Sequence, residues 1–99
     1  MTAKRYSVEK NNRTDWKNFV ALCSKFNTSD HVADLFELFL TRAEQDDIAM
    51  RYRIVRTLLT GKKTQRQIAK DLSVSIAKIT RGSNALKIAP EKTKNLFRK

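Results

Sequence analysis

The stretch of residues 65–88 constrains the fold more than any other part of the chain, because it predicts two short helices joined by a tight turn. Thr64 and Ser75 each precede a run with helical periodicity, and both residue types are favoured helix N-caps. The first helix is expected to end at Leu72, and the second to run to about Ile88. This arrangement is typical of a helix-turn-helix pair, whose second helix can lie in a groove of DNA.

The rest of the chain is also expected to be helical, because the whole sequence contains only two glycines and one proline. Apolar residues recur at helical spacing over about 14–26, 30–40 and 42–60. Residues 1–13 are polar and are expected to form a flexible N-terminal arm. The expected fold is therefore all-α, with one helical domain over residues 14–99.

The helix expected over 30–40 is apolar around most of its circumference and therefore needs burial on several sides. A chain of 99 residues can bury only a limited core. A partner subunit is a natural source of the missing burial. The apolar residues of this helix are Val32, Leu35, Phe36, Leu38, Phe39 and Leu40.

Charge divides the chain into two halves. Residues 51–99 contain fourteen Lys or Arg and two acidic residues, a net charge of +12, whereas residues 1–50 carry a net charge of −1. A basic half beside a neutral half favours a polyanionic partner. Ribosomal proteins, basic tails and membrane-surface helices share this balance, so charge identifies only the class of partner.

Several classes of protein are disfavoured. With one cysteine, one histidine and no clustered carboxylates, the chain has no candidate metal site, catalytic residues or cofactor site, and an enzyme is not expected. No apolar run approaches the roughly 20 residues of a membrane span. The N-terminus also lacks the apolar core of a signal peptide. A cytoplasmic protein without a membrane partner is expected.

The second helix of the pair has an outer face suited to DNA. Ile79 and Leu86 are expected to anchor this helix to the protein body. Small or polar residues on the opposite face would allow close approach to base edges, and a lysine there would suit a phosphate. Those outer residues are Ile76, Ala77, Thr80, Asn84 and Lys87. Two core helices with a polar outer face remain an alternative.

Gly82 is unusual because it lies inside this helix, where glycine costs about 1 kcal/mol relative to alanine. Such a glycine is reasonable where a ligand or a backbone must come very close. Arg81 beside it offers a planar fork suited to a carboxylate. These two residues indicate either an effector pocket or a structural arrangement, with Arg81 pairing an acid and Gly82 relieving crowding.

The chain resembles the Trp repressor family. The resemblance covers the order of helices over nearly the whole chain after the arm, and its most specific part is the run from Ile79 to Asn84, ITRGSN. The other runs that carry it are Leu86-Lys87, Arg51-x-Arg53-Ile54-Val55, Leu58-Leu59-x-Gly61 and Gln65-Arg66.

The resemblance implies an intertwined homodimer with six helices per subunit and a helix-turn-helix at about 65–88. It implies a repressor that binds a palindromic double-stranded operator when L-tryptophan is bound as co-repressor, and so controls genes of tryptophan biosynthesis or uptake. By match, Arg51 and Arg81 would sandwich the indole, and Arg81 would also reach the carboxylate. The full set implied for L-tryptophan is Leu38, Leu40, Thr41, Arg51, Arg81, Gly82 and Ala85.

The resemblance also implies which residues meet DNA. Bases or bridging waters would be contacted by Gln65, Arg66, Ile76, Ala77, Thr80 and Asn84. Phosphates would be contacted by Lys70, Lys78 and Lys87.

The chain departs from the family pattern at Ala85, where the family often has serine, and at Arg42, which replaces a common proline. The loss of the serine hydroxyl motivates a first alternative, a helix-turn-helix protein that has lost effector control. A second alternative is a basic RNA-binding protein, which would show no preference for a palindrome.

Overall fold

The computed structural model describes residues 5–98, with side chains from residue 11 onward, and every regular element in this range is helical. The all-α expectation is confirmed. The helices are α1 (Arg5–Cys23), α2 (Ser29–Phe39), α3 (Arg42–Thr60), α4 (Gln65–Leu72), α5 (Ile76–Ile88) and α6 (Glu91–Asn95), and a short 3-10 turn follows at Leu96–Arg98.

The chain divides into two compact units, with the boundary between Thr41 and Arg42. The first unit contains α1 and α2, and the second contains α3 to α6. The expectation of one helical domain over residues 14–99 stays a prediction.

The start of α1 differs from its expectation. The helix begins at Arg5 rather than near residue 14, so residues 5–13 of the expected flexible arm are helical, while residues 1–4 lie outside the described residues. No glycine or proline interrupts residues 5–13, and helix propagation from an established segment is favourable. The helix ends at Cys23, and in the turn that follows the Ser24 hydroxyl donates to the Ala21 carbonyl at 2.6 Å.

In the first unit, Phe19 of α1 packs against α2. Its ring lies 6.3 Å from that of Phe36 and 5.2 Å from that of Phe39, measured between centroids. The N-cap of α2 is Thr28, whose hydroxyl accepts from the His31 amide at 3.3 Å.

Large apolar side chains of this first unit remain exposed. Leu38 is 76% exposed, Trp16 is 56% exposed and Phe39 is 51% exposed, whereas Leu35 is buried. The monomer therefore leaves an apolar surface on α1 and α2 that further burial would stabilise.

The second unit has its core where α3, α4 and α5 pack together. Ile54 of α3, Ile68 and Ala69 of α4 and Ile79 of α5 form a buried cluster, with Ile79 fully buried. The small side chain of Ala69 permits close packing of α4 at this point. Met50, Leu58, Leu72 and Val74 pack around the cluster. The position expected for Ile79, anchoring α5 to the protein body, is thus confirmed.

Local hydrogen bonds set the ends of α4 and α5. The Thr64 hydroxyl accepts from the Gln67 amide at 3.1 Å, and the Gln67 side chain accepts from the Thr64 amide at 2.9 Å, which completes a capping box. Ser73 adopts the left-handed conformation at φ 57°, and Ser75 caps α5 through the Lys78 amide. The bounds expected for α4 and α5 are confirmed.

The C-terminal segment packs on α3 within the second unit. The Phe97 ring stacks on the Tyr52 ring with centroids 5.8 Å apart, and the Arg56 guanidinium lies 5.4 Å from the Tyr52 ring centroid on the same helix. Arg98 donates to the Glu91 carboxylate at 3.0 Å, which ties the 3-10 turn to α6. These contacts hold α6 and the 3-10 turn against the body of the unit.

Candidate ligand pocket and nucleic-acid interface

A cavity of about 280 Å³ lies between α3 and α5 in the second unit. Its size is close to the lower end of the range for small-molecule sites, about 300–1,000 Å³. The lining residues come from α3 and α5 alone: Asp47, Met50, Arg51, Ile54 and Val55 from the former, and Lys78, Arg81, Gly82 and Ala85 from the latter.

Helical periodicity explains this lining. Residues three, four, seven and eight apart share one face of an α-helix. The α3 residues begin at Asp47 and end at Val55, and the α5 residues begin at Lys78 and end at Ala85, with these separations. The two helices therefore present one continuous face each to the cavity.

The cavity combines an apolar wall with charged groups. Ile54 and Val55 of α3 provide branched aliphatic surface. Arg51, Lys78 and Arg81 provide cations, and Asp47 provides the single anion of the lining. Such a mixture suits a small ligand with an apolar body and a charged end.

The guanidinium groups of Arg51 and Arg81 are exposed, and neither forms an ion pair or a hydrogen bond within the described part of the chain. The structural alternative in which Arg81 pairs an acid is therefore not observed among these residues. Both guanidiniums remain available to a ligand.

Gly82 allows α5 to approach α3 closely. A Cβ atom placed on Gly82 would lie 3.1 Å from Ile54 Cγ2 and 3.4 Å from Leu58 Cδ1. Contacts as short as the first require Ile54 to move, and its β-branched side chain in a buried position has little freedom to do so. Relief of crowding between helices is thus one reason for this glycine, and Gly82 also lines the cavity.

The structure brings four of the seven residues expected to bind L-tryptophan to one cavity: Arg51, Arg81, Gly82 and Ala85. The other three, Leu38, Leu40 and Thr41, belong to the first unit and lie at the end of α2 or just beyond it.

Five residues that line the cavity were not among those expected to bind L-tryptophan: Asp47, Met50, Ile54, Val55 and Lys78. The signal that could have found the α3 residues is their spacing of three or four from Arg51. Lys78 was expected at DNA phosphates, and the structure places it beside the cavity in the first turn of α5, where its side chain is exposed.

The outer face of α5 is a stripe of exposed residues. The stripe consists of Ile76, Ala77, Thr80, Asn84 and Lys87, and Ile76 is 45% exposed despite its apolar side chain. Side chains at these separations project from one side of the helix, away from the buried Ile79. The surface is therefore open to a macromolecular partner.

The N-terminal end of α4 is joined to this stripe. The Thr80 hydroxyl donates to the Gln65 side-chain oxygen at 3.1 Å, which links the first residue of α4 to the middle of α5. Arg66 and Lys70 on α4 are exposed. All nine residues expected to meet DNA thus belong to α4 or α5, and eight of them are exposed, whereas Gln65 is half-buried.

One ion pair lies near this exposed stripe, whereas the lysines expected at phosphates are unpaired among the described residues. Lys63, before α4, donates to the Asp71 carboxylate at 2.5 Å. Asp71 is one of two acidic residues in the basic half of the sequence. Lys70, Lys78 and Lys87 form no ion pair in the part of the chain that the structure describes.

Two kinds of feature are absent from the parts of residues 5–98 that the structure describes. Within that range no helix is both long and apolar enough to span a lipid bilayer. Among the side chains that the structure describes, from residue 11 onward, no group of three or more His, Cys, Asp or Glu is positioned to hold a metal ion.

Comparison with known proteins gives one consistent result. Residues 14–99 match the family model described as Trp repressor protein. A protein of Chlamydia trachomatis serovar L2 named Trp operon repressor homolog is 50% identical over 84 residues, covering 85% of this chain and 89% of its own length. Proteins of the same name from Chlamydia caviae and Vibrio vulnificus are 47% and 40% identical, over 92% and 82% of this chain and 90% and 79% of their own lengths.

Proposed function

Because the chain belongs to the Trp repressor family, we propose that it binds a palindromic DNA operator as a homodimer when L-tryptophan occupies the cavity between α3 and α5. It is a transcriptional repressor and not an enzyme. The genes it controls would be those of tryptophan biosynthesis or uptake, and its place of action would be the cytoplasm. The observation that carries the proposal is that one helix, α5, both lines a cavity and presents an exposed stripe of side chains on another face.

The cavity supports binding of an aromatic amino acid. Arg51 from α3 and Arg81 from α5 can stack on the two faces of an indole, because guanidinium planes are attracted to aromatic rings. Arg81 can also donate to the ligand carboxylate. Leu38, Leu40 and Thr41 would complete the pocket in the assembled dimer.

The α4–α5 pair would serve as a helix-turn-helix with α5 as the recognition helix. Gln65, Arg66, Ile76, Ala77, Thr80 and Asn84 would face bases or bridging waters. Lys70, Lys78 and Lys87 would face phosphates, and the excess of basic residues after residue 50 supports that assignment.

An intertwined dimer is supported by the apolar surface that the monomer leaves exposed. Leu38, Trp16 and Phe39 lie on α1 and α2, and each is more than half exposed. A second subunit would bury such side chains, which stabilises a complex by about 25 cal/mol per Å² of apolar surface. The dimer would also supply the second recognition helix that a palindrome needs.

Ligand and DNA would be coupled through the orientation of α5. Helix-turn-helix dimers, for which the Trp repressor is itself a standard example, place two recognition helices about 34–36 Å apart in successive major grooves. A ligand wedged between α3 and α5 favours one orientation of α5. If that orientation has the correct spacing, the ligand raises DNA affinity, and DNA raises ligand affinity by the same factor.

The test is a titration of a tryptophan-type palindromic operator with the protein, with and without L-tryptophan, followed by gel shift and calorimetry. We expect L-tryptophan to tighten operator binding and to leave binding to a scrambled duplex nearly unchanged. Equal operator affinity in the two conditions would exclude the co-repressor role.

A second candidate function is operator binding without effector control. The observation that favours it is Ala85, which lines the cavity with a methyl group where the family often has a hydroxyl. Under this alternative, the operator is still preferred over the scrambled duplex, and Arg51→Ala leaves operator affinity unchanged at saturating L-tryptophan.

A further inference from the structure

Asp47 is the one anionic side chain in the cavity lining. Its carboxylate is available to a ligand for the following reasons. Asp47 lies on α3 one turn before Arg51 and faces the same cavity. Its carboxylate is exposed and forms no ion pair or hydrogen bond with the residues that the structure describes. A carboxylate beside a cavity, without an internal partner, is a candidate acceptor for a cationic group.

The other lining side chains cannot accept a strong hydrogen bond. Arg51, Lys78 and Arg81 are donors only, and Ala85 offers a methyl group. The remainder are aliphatic or glycine apart from Met50, whose thioether is a weak acceptor. An ammonium group in this cavity therefore has one strong side-chain acceptor available, the carboxylate of Asp47.

We propose that Asp47 binds the α-ammonium group of the amino acid and makes the cavity selective for ligands that carry this group. The inference rests on the proposed function, since it concerns the same cavity and ligand. The charges divide the ligand's polar end: the cations of α5 attract its carboxylate, and Asp47 attracts its ammonium.

A competing role for Asp47 is to hold Arg51 in place. Residues four apart on a helix can form an ion pair, and an Asp47–Arg51 pair would orient the guanidinium that stacks on the indole. Such a positioning role would affect every indole ligand equally, whether or not the ligand has an amino group. The two roles can therefore be separated by ligand chemistry.

The experiment is calorimetric titration of the full-length protein with L-tryptophan and with indole-3-propionate, which has the indole and the carboxylate but no amine. The variants are Asp47→Asn, Asp47→Glu and a matched control, Asp46→Asn, which neutralises the neighbouring exposed acid outside the lining. Binding of indole-3-propionate at the wild-type stoichiometry also shows that each variant is folded.

Asp47→Asn is expected to weaken L-tryptophan binding by about fivefold, the effect of losing a solvent-screened charged contact, and to leave indole-3-propionate unchanged or tighter. Asp47→Glu should retain more of the L-tryptophan affinity, and Asp46→Asn should change neither ligand. Equal weakening of both ligands, or no change in either, would overturn the role of Asp47 while the co-repressor function stands. If the wild-type protein binds neither ligand, the proposed function itself fails.

Discussion

Gly82 has two consequences at the scale of a single residue. Its missing Cβ allows the buried side chain of Ile54 to pack directly against the α5 backbone, and it leaves room at the wall of the cavity. Replacement by alanine would improve helix propensity by about 1 kcal/mol but would force a rigid, buried side chain to shift. The packing effect should dominate because Ile54 is only 3% exposed.

Gly82→Ala is therefore expected to lower the free energy of unfolding by about 1 kcal/mol net, as overpacking typically costs about 1–3 kcal/mol. Urea denaturation at fixed protein concentration would measure the change. In an Ile54→Ala background the contact atom is absent, so the same glycine replacement should cost less or stabilise. If Gly82→Ala lowers the free energy of unfolding equally in the wild type and in the Ile54→Ala variant, the Ile54 side chain does not restrict this position.

Arg81 provides the second prediction at this scale. Arg81→Ala removes the guanidinium proposed to reach both the indole and the carboxylate, so L-tryptophan binding should weaken at least about tenfold, typical of a charge-assisted contact. Operator binding should then become insensitive to the ligand. Calorimetry checks the first point and gel shift the second. A normal L-tryptophan titration of the variant would remove Arg81 from the pocket.

At the scale of an element, α5 combines three surfaces on one helix. Ile79 anchors it in the core, the face from Lys78 to Ala85 lines the cavity, and the exposed stripe that includes Thr80 and Asn84 points away from the buried side. A ligand on the second surface can change the orientation of the third, because all three belong to one rigid helix.

The hydrogen bond between Thr80 and Gln65 gives this element a specific test. Thr80→Val removes the hydroxyl that donates to Gln65 at 3.1 Å, with little change in volume. Since the position is exposed, stability should change by less than about 0.5 kcal/mol. Operator affinity should fall by roughly fivefold for each lost hydrogen bond, or about 25-fold for a symmetric dimer that loses two, while affinity for a scrambled duplex stays constant.

The matched control is Thr60→Val, an exposed threonine at the end of α3 whose hydroxyl donates to Thr57. This control should change neither the affinity for the operator nor the affinity for the scrambled duplex. Equal losses on operator and scrambled duplex for Thr80→Val would assign the residue to the DNA backbone instead of the bases.

The elements also show what a sequence can and cannot predict. The bounds of α4 and α5 were predictable because Thr64 and Ser75 act through local cap hydrogen bonds. The left-handed Gly61 after α3, at φ 66°, is an equally local signal. The place of Asp47 in the cavity was not predictable, because it depends on which face of α3 packs toward α5, a contact distant in sequence.

At the scale of the whole molecule, charge is distributed unequally along the chain. The segment after residue 50 carries a net charge of +12, and the described part of that segment forms the second unit together with the start of α3. Each lysine or arginine that neutralises a phosphate releases a counterion, so the logarithm of DNA affinity should fall steeply and linearly with the logarithm of salt concentration. The slope would count the phosphate contacts of the proposed dimer.

Replacement of Lys87 tests whether the salt slope reports the number of phosphate contacts. Lys87 is exposed in the last turn of α5, outside the cavity lining, and it pairs with no acid among the side chains described from residue 11 onward. Lys87→Ala should weaken binding to operator and scrambled duplex alike, because phosphates carry no sequence information. It should also reduce the salt slope by about 1 per lost contact, that is, by about 2 for a symmetric dimer in which both subunits bind. Fluorescence anisotropy at several salt concentrations measures both quantities.

Lys25→Ala is the control for Lys87, since Lys25 is exposed in the turn after α1, in the less basic half of the chain. The salt slope of the Lys25→Ala variant should equal that of the wild type. If Lys87→Ala also leaves the slope unchanged, Lys87 does not meet a phosphate. If it instead weakens only the operator complex, Lys87 contacts bases.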